Sequence, residues 1–445
     1  MEIYERALRS DPALREAEAN RMAALETKPQ ARSALLPQLQ GSAGYSWDES
    51  DGSNQFQTAQ VIENPPGSGN FEQVIRTVVS EFEQKDSNQT QWRLELRQSL
   101  FRWDQWVTLG QADKLINQAE VDYRVAQQDL INRVATAYFN VLSAADTLES
   151  EVAAKEAIGR QLEQAQKRFE VGLIAITDVM ESQAAYDQAV AAEILAKRNL
   201  ATNGELLREI VGEMPTSLAR PKEEIPLASP EPQDEGQWVD LSLQQNLSLI
   251  SSQIGTDIAR DDVSLARTGH YPTVDLVASR FSLDSDSLRS DNNQPFQPRA
   301  FDQTQDSIQL QLTVPIYSGG SVSSRVSEAV YRHRAAKERL ERIARETERL
   351  TRDAYLGVVS EISRVKALKQ AQASARTALQ ATEAGFEVGT RTTVDVLEQR
   401  RQLFIADVNY ARSRYDYIIN VLLLKQAAGT LAMGDVAEVN GWLEE

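Results

Sequence analysis

The sequence reads Arg-Phe-Glu-Val-Gly-Leu-Ile-Ala-Ile-Thr-Asp-Val-Met-Glu at residues 168–181 and Gly-Phe-Glu-Val-Gly-Thr-Arg-Thr-Thr-Val-Asp-Val-Leu-Glu at residues 385–398. These are two copies of one short stretch, because the shared Phe-Glu-Val-Gly begins at Phe169 and at Phe386, 217 residues apart. Each copy lies between two long segments with a helical pattern, so each is predicted to be the turn of a long helical hairpin. The chain is therefore predicted to contain one structural module twice.

The repeat extends beyond these turns, which are predicted near residues 172 and 389. Ala-Tyr-Phe-Asn-Val-Leu at 137–142 corresponds to Ala-Tyr-Leu-Gly-Val-Val at 354–359, again 217 residues later. A unit of that length is too long for a solenoid repeat and indicates a gene duplication. The predicted organisation is a first repeat (1–212), a proline-rich connector (213–237), a second repeat (238–426) and a C-terminal tail (427–445).

The composition excludes several classes of protein. Lys and Arg number 47 against 65 Asp and Glu, and the formal net charge of −18 argues against nucleic-acid binding, which needs a basic surface. The 445 residues include no Cys and only two His, so a Cys/His zinc site and a Cys nucleophile are excluded. Ser-Gly-Gly-Ser at 318–321 lacks the context of a nucleophile elbow. We therefore expect no enzyme activity, no metal and no cofactor.

Proline placement leaves two long tracts free to be helical. None of the 14 prolines lies between Pro66 and Pro215 or after Pro315, and proline breaks helices. Within both tracts apolar residues recur every three or four positions, as in coiled coils. The segment 104–168 would form a helix of roughly 100 Å, too long for a compact domain. One interpretation of these tracts alone is a soluble coiled-coil scaffold or adaptor.

Four shorter segments have the alternation of β-strands. The clearest is 307–316, in which apolar residues from Ile308 to Ile316 alternate with Ser, Gln and Thr. About ten residues of such alternation is typical of a transmembrane β-strand, although a half-buried strand of a soluble sheet has the same pattern. Four strands cannot close a barrel, and lipid does not tolerate open sheet edges, so transmembrane strands would require several chains to share one barrel. Strands are predicted at about 37–48, 89–101, 272–283 and 307–316, with long polar loops at 48–90 and 284–306.

The motifs resemble those of the TolC family of outer-membrane efflux and secretion ducts. They are Leu-Leu-Pro-Gln-Leu (35–39), His-Tyr-Pro-Thr (270–273), Pro-Ile-Tyr-Ser-Gly-Gly (315–320) and the two Val-Gly turns. The resemblance implies an α+β membrane protein, a homotrimer whose chains contribute four strands each to a 12-stranded outer-membrane β-barrel continuous with a periplasmic α-helical barrel. The connector and the tail would form a belt around it.

The resemblance also implies a passive exit duct with defined partners. These are a periplasmic adaptor (membrane fusion) protein, an inner-membrane RND or ABC transporter and outer-membrane lipid, with no nucleic acid. Whether the cargo is drugs, secreted proteins or both stays open, because the inner-membrane partner selects it. Extraction that requires detergent would separate this interpretation from the soluble scaffold.

The same resemblance assigns site residues at the periplasmic tip. Asp395 and Glu398 correspond to the acidic cation-selectivity ring of the closed entrance, where the family commonly has Asp at the second position. They are three residues apart and would share one helix face, and three copies would place six carboxylates at a constriction that binds cations. For each residue alone, a solvated helix face is an equal reading. The adaptor would dock on the turn residues Val171, Gly172, Leu173, Val388, Gly389 and Thr390.

A gate lock is implied next to this ring. Arg391 corresponds to the arginine that ties the inner hairpin to the outer one, and Thr177 and Asp178 correspond to its partners. Phe386 stands where the family has a tyrosine, so one hydroxyl hydrogen bond of the lock is expected to be missing. The alternative for Arg391 and Asp178 is an ordinary surface ion pair, worth under about 1 kcal/mol.

Overall fold

The computed structural model describes residues 1–215, 217–222 and 224–444. The described chain divides into two compact units. Unit 1 comprises Met1–Thr27, Asp113–Asp261 and Glu328–Glu445, and unit 2 comprises Lys28–Ala112 and Asp262–Ser327. The helices are α1 (Glu2–Ser10), α2 (Pro12–Leu25), α3 (Thr27–Ser33), α4 (Trp103–Glu170), α5 (Ile176–Val211), α6 (Glu235–Gln245), α7 (Leu247–Arg267), α8 (Ser321–Glu387), α9 (Thr393–Ala427) and α10 (Met433–Gly441). The strands are β1 (Gln38–Glu63), β2 (Phe71–Phe101), β3 (Thr273–Asp291) and β4 (Gln297–Thr313).

Unit 1 is helical and is built around two helical hairpins. The outer hairpin is α4 followed by α5, and the inner hairpin is α8 followed by α9; α4 and α8 are 68 and 67 residues long. The four largest fully buried side chains lie on these helices: Leu130, Leu207, Tyr417 and Ile418. One apolar core joins both hairpins, and a smaller cluster of Leu162, Ala165 and Val179 joins α4 to α5 nearer their turn.

The proline-rich connector packs against this core through hydrogen bonds to its backbone. The Tyr138 hydroxyl donates to the Ala219 carbonyl oxygen at 2.7 Å, and burial raises the pKa of Tyr138 to about 12. The connector also pairs with the C-terminal tail, where Pro221 and Leu443 form an isolated antiparallel bridge. These bonds satisfy backbone groups in the connector and in the residues that follow α10.

Unit 2 contains a four-stranded antiparallel sheet in the order β1-β2-β3-β4. Its register aligns Leu39, Leu96, Ala278 and Ile308 in one row across the four strands. Because side chains directly opposite one another share a face, the apolar residues of this row lie on one side of the sheet, together with Leu310 and Leu312 of β4. That side is exposed, with Ile308 at 80%. The outer edges of β1 and β4 are unpaired in the described chain.

The prediction of long polar loops between the paired strands is wrong. β3 is paired with β2 up to Phe82, whereas β1 and β2 continue beyond that point as a two-stranded ribbon to Glu63 and Phe71. The loop at 284–306 is likewise mostly strand, and β4 ends at Thr313 rather than at 316. Ser, Asn, Gln and Asp disfavour strands only weakly, and cross-strand pairing outweighs that preference here.

None of the helices in the described ranges contains a stretch that is long and apolar enough to cross a membrane. This agrees with the sequence, in which no uninterrupted apolar segment of about 18 residues occurs.

Candidate functional site at the hairpin turns

The two repeated turns have the same backbone geometry. In the first, the amide of Leu173 donates to the Arg168 carbonyl and the amide of Gly172 to the Phe169 carbonyl, each at 2.8 Å. In the second, Thr390 donates to Gly385 and Gly389 to Phe386 at 2.8 and 3.1 Å. This pair of bonds is the Schellman motif, which ends a helix on a residue with positive φ. Gly172 and Gly389 have φ of 77° and 78°, so the repeated Val-Gly is a helix stop.

The predicted docking residues at these turns are exposed and apolar. Val171 is 70% exposed, Leu173 is 73% exposed and Val388 is 75% exposed. Each precedes or follows the glycine that reverses the chain, so the Schellman geometry projects them from the end of the helix. Each turn therefore ends in apolar side chains that face solvent.

The predicted ring residue Asp395 has a structural role that the sequence analysis missed. Its Oδ2 accepts hydrogen bonds from the Thr392 amide at 2.8 Å and the Thr392 hydroxyl at 3.0 Å, while Thr392 Oγ1 accepts from the Asp395 amide. This capping box starts α9. The backbone hydrogen bond from Thr392, then its hydroxyl, holds the pKa of Asp395 below its ordinary value. The Thr-x-x-Asp spacing was the signal for it.

Glu398 is exposed and lies one helical turn further along α9. Its carboxylate accepts a hydrogen bond from the Gln402 side chain at 2.8 Å. Asp395 keeps its other carboxylate oxygen outside the capping box, so α9 presents both acids within its first two turns.

The structure does not join Arg391 to its predicted lock partners in the described chain. Arg391 is exposed, and no hydrogen bond or ion pair within the described residues links its guanidinium to Thr177 or Asp178. Thr177 is exposed and Asp178 is half-buried in the first turn of α5. The lock between these three residues stays a prediction.

Phe386, the fourth lock residue, has a partner that the sequence analysis missed. The guanidinium carbon of Arg168, in the last turn of α4, lies 4.8 Å from the centre of the Phe386 ring, in the last turn of α8. A cation at this distance over an aromatic face is attracted by the ring quadrupole. The contact joins the outer hairpin to the inner hairpin at the level of both turns.

Ion pairs brace each hairpin behind its turn. In the outer hairpin, Glu193 is buried and accepts Lys155 at 2.7 Å and Lys197 at 2.6 Å, and the bond from Lys155 is the main cause of its lowered pKa. In the inner hairpin, Arg400 donates twice to Glu383 Oε1, at 3.1 and 2.7 Å.

A cleft of about 520 Å³ lies between the two hairpins and is lined by α4, α5 and α9.

Unit 2 has a bonded pair at the end of its sheet. Arg102 Nε and Nη2 donate to the two carboxylate oxygens of Asp275 at 3.1 and 2.9 Å, and Asp275 is 3% exposed. Such a bidentate pair fixes orientation as well as distance. Arg102 follows the last residue of β2 and Asp275 lies in β3, so the pair fixes the point at which β2 gives way to α4.

Within 1–215, 217–222 and 224–444, no group of three or more His, Asp or Glu side chains is arranged to hold a metal ion.

Comparison with known proteins identifies the family. The family described as "Outer membrane efflux protein" matches residues 3–213 and 238–430, which leaves out the connector and most of the tail. Outer membrane protein TolC of Vibrio cholerae is 38% identical over 443 residues, covering 100% of this chain and 93% of that protein. Its Escherichia coli counterpart is 37% identical over 448 residues, covering 100% and 85%. The alkaline protease secretion protein AprF of Pseudomonas aeruginosa is 28% identical over 440 residues, covering 97% and 85%.

Solved structures show the same fold. The CmeC outer membrane channel of Campylobacter jejuni superposes with a TM-score of 0.73 at 16% identity and covers 99% of this chain and 88% of that one. VceC of Vibrio cholerae gives 0.71 at 18% identity and covers 96% and 95%. The family match and the outer membrane relatives exclude the soluble scaffold interpretation. The chain belongs to the outer membrane efflux protein family, and it is an outer-membrane exit duct of the efflux and type I secretion class rather than an enzyme.

Proposed function

We propose that three copies of this chain form one duct, with their sheets closed into a 12-stranded barrel in the outer membrane. The observation that carries the proposal is a four-stranded sheet with one exposed apolar face and two unpaired edges. Unpaired edge amides and carbonyls are not tolerated in lipid, so β1 of one copy pairs with β4 of the next. Three such junctions close the sheet with an even number of strands.

The hairpins of unit 1 form the periplasmic part of this duct, and their turns form its entrance. Asp395 and Glu398 from three copies place six carboxylates around the opening and favour cations there. The exposed tips Val171, Leu173 and Val388 bind a periplasmic adaptor through their apolar side chains. The adaptor connects the duct to an inner-membrane RND or ABC transporter, which supplies energy and selects the cargo.

In the closed trimer, Arg391 bonds the Asp178 carboxylate and the Thr177 hydroxyl and keeps the tips together. Each charge-assisted hydrogen bond of this kind is worth about 1.5–3 kcal/mol when it is partly shielded. Arg391→Ser is therefore expected to raise the conductance of the assembled channel. Wild-type conductance in that variant would show that helix packing holds the entrance closed instead.

The cargo class follows from the relatives. AprF of Pseudomonas aeruginosa and PrtF of Dickeya chrysanthemi are named as protease secretion proteins, and the family is named for efflux. On these names we propose that this duct exports both small molecules and secreted proteins.

Single-channel recording tests the duct directly. Purified protein added to a planar lipid bilayer should produce discrete conductance steps whose current is cation-selective. Stable insertion without any conductance, at protein concentrations that give a saturated bilayer, would contradict the proposal.

A further inference from the structure

The two hairpin turns differ in the position of their arginine. At the 217-residue offset, Arg168 of the first turn corresponds to Gly385 of the second, and Ile174 corresponds to Arg391. Each turn thus has one arginine, but on opposite sides of the glycine that ends the helix. The positive charge thus precedes the glycine in the first turn and follows it in the second.

The second turn has no room for an arginine before its phenylalanine. A Cβ added at Gly385 would lie 2.8 Å from Cγ of Arg391 and 3.2 Å from Oγ1 of Thr390. The Gly385 carbonyl already accepts from the Thr390 and Arg391 amides and from the Thr390 hydroxyl. Gly385 therefore leaves space for the Arg391 stem, and the cation that covers Phe386 has to come from the other hairpin.

Arg168 supplies that cation and has no competing partner in the described chain. No carboxylate within the described ranges lies in ion-pair distance of Arg168, whereas its neighbour Lys167 pairs with Glu163 at 2.5 Å. Both Arg168 and Phe386 are half-buried, so the contact is partly shielded from water. A phenylalanine ring has no hydroxyl to bond, and the negative charge on its face is what attracts a cation.

We propose that the Arg168 guanidinium on the Phe386 ring is a further tie between the outer and inner hairpins of each chain, at the level of the turns, and that it contributes to how readily the duct entrance opens. The inference rests on the proposed function, because opening requires the inner hairpin to move away from the outer one. It assigns Arg168 as a positioning residue of the gate. Where a tyrosine would form a hydrogen bond through its hydroxyl, Phe386 of this chain instead contacts the Arg168 guanidinium through its ring face.

The size of the effect follows from one contact in each of three copies. A partly exposed cation–π contact changes an equilibrium by about two- to fivefold. If the three copies open together, the factors for the three lost contacts multiply. The ratio of open to closed channels then rises by about tenfold to a hundredfold. That range is measurable as open probability in single-channel records.

The test compares the open probability of single-residue variants of the protein in planar bilayers. Arg168→Gln and Phe386→Leu should each raise the open probability by at least tenfold, since each removes one partner and keeps similar bulk. The double variant should open no more than either single variant. Arg168→Lys should restore most of the closed state, because it keeps a cation above the ring. Phe386→Trp, which offers a stronger ring face, should lower the open probability below that of the wild type.

Lys167→Gln is the matched control, because it removes one positive charge from the adjacent position without touching Phe386. If Lys167→Gln opens the channel as much as Arg168→Gln, the effect is one of net charge and the inference is overturned. The same holds if Arg168→Gln leaves the open probability unchanged, or if Phe386→Trp raises it. Absence of any channel from the wild-type protein would instead contradict the proposed function, so the two failures are distinguishable.

Discussion

Loss of the Asp11 carboxylate should lower the free energy of local opening of the first two helices of unit 1. Two substitutions separate the part due to the helix cap from the part due to the ion pair. Asp11 is the N-cap of α2, and its Oδ2 accepts from the Leu14 amide at 2.8 Å. The same carboxylate accepts two bonds from Arg133, at 3.0 and 2.7 Å. Arg133 also bonds Asp129 at 2.8 Å. Asp11 thus caps one helix and ties it to α4.

The magnitude has two parts. Loss of an N-cap costs about 1 kcal/mol, and loss of a charge-assisted pair costs about 1.5–3 kcal/mol. The lower end applies, because the Arg133 side chain is 32% exposed and keeps Asp129 as a partner. Asp11→Ala should therefore lower the local opening free energy by about 2.5 kcal/mol. Asp11→Asn keeps an acceptor for the cap and should cost about 1.5 kcal/mol.

Hydrogen–deuterium exchange of the peptide that contains Leu14 measures this opening. At about 1.4 kcal/mol per factor of ten, Asp11→Ala should exchange about 60-fold faster than the wild type and Asp11→Asn about 12-fold faster. Asp129→Asn is the control, because it removes the exposed partner of Arg133 and leaves the cap. Equal acceleration in both Asp11 variants, or none in either, would refute the division into cap and ion pair.

The same site predicts a pH dependence. The hydrogen bonds from Arg133 are the main cause of a lowered pKa at Asp11, relative to an ordinary value of 3.8. A carboxylate whose pKa is lowered on folding contributes stability that is present above 3.8 and is lost as the pH falls through the lowered value. Protection of α2 should therefore decline only below about pH 4 in the wild type, and Asp11→Asn should remove that decline.

Two further predictions concern the entrance and the fold. Multivalent cations added on the periplasmic side should block the wild-type current, and Asp395→Ala together with Glu398→Ala should abolish the block; an unchanged block would locate the filter elsewhere. Gly429→Ala should lower the thermal midpoint strongly or prevent folding, at a cost of about 3 kcal/mol or more, because Gly429 has φ of 77° and a Cβ there would overlap the Gln245 carbonyl. Gly434→Ala, where a Cβ meets nothing within 4 Å, should leave the midpoint within a few degrees; similar losses in both variants would contradict this reasoning.

The sequence was sufficient for features whose signal is local. The Val-Gly pairs predict the two turns at Gly172 and Gly389, because a helix that ends on positive φ selects glycine. The absence of proline predicts the long helices, and Pro37 and Pro272 lie next to the starts of β1 and β3. In each of these cases a few neighbouring residues determine the backbone geometry.

Features that depend on distant parts of the chain were not predictable in the same way. The part of the β1–β2 ribbon at 48–90 was read as a loop, because its polar composition is ambiguous until cross-strand pairing is known. The contacts of Arg168 with Phe386 and of Arg102 with Asp275 join residues that are more than 170 positions apart. They depend on how one helix or strand is rotated against another, which periodicity does not specify.

The central claim is that the exposed apolar sheet of each chain closes only with copies of itself. Native mass spectrometry of the full-length protein, extracted in detergent, measures this most directly by counting chains in the intact particle. We expect a complex of three chains that retains its β-sheet signal. A monodisperse single chain that keeps its β-sheet signal in detergent would contradict it.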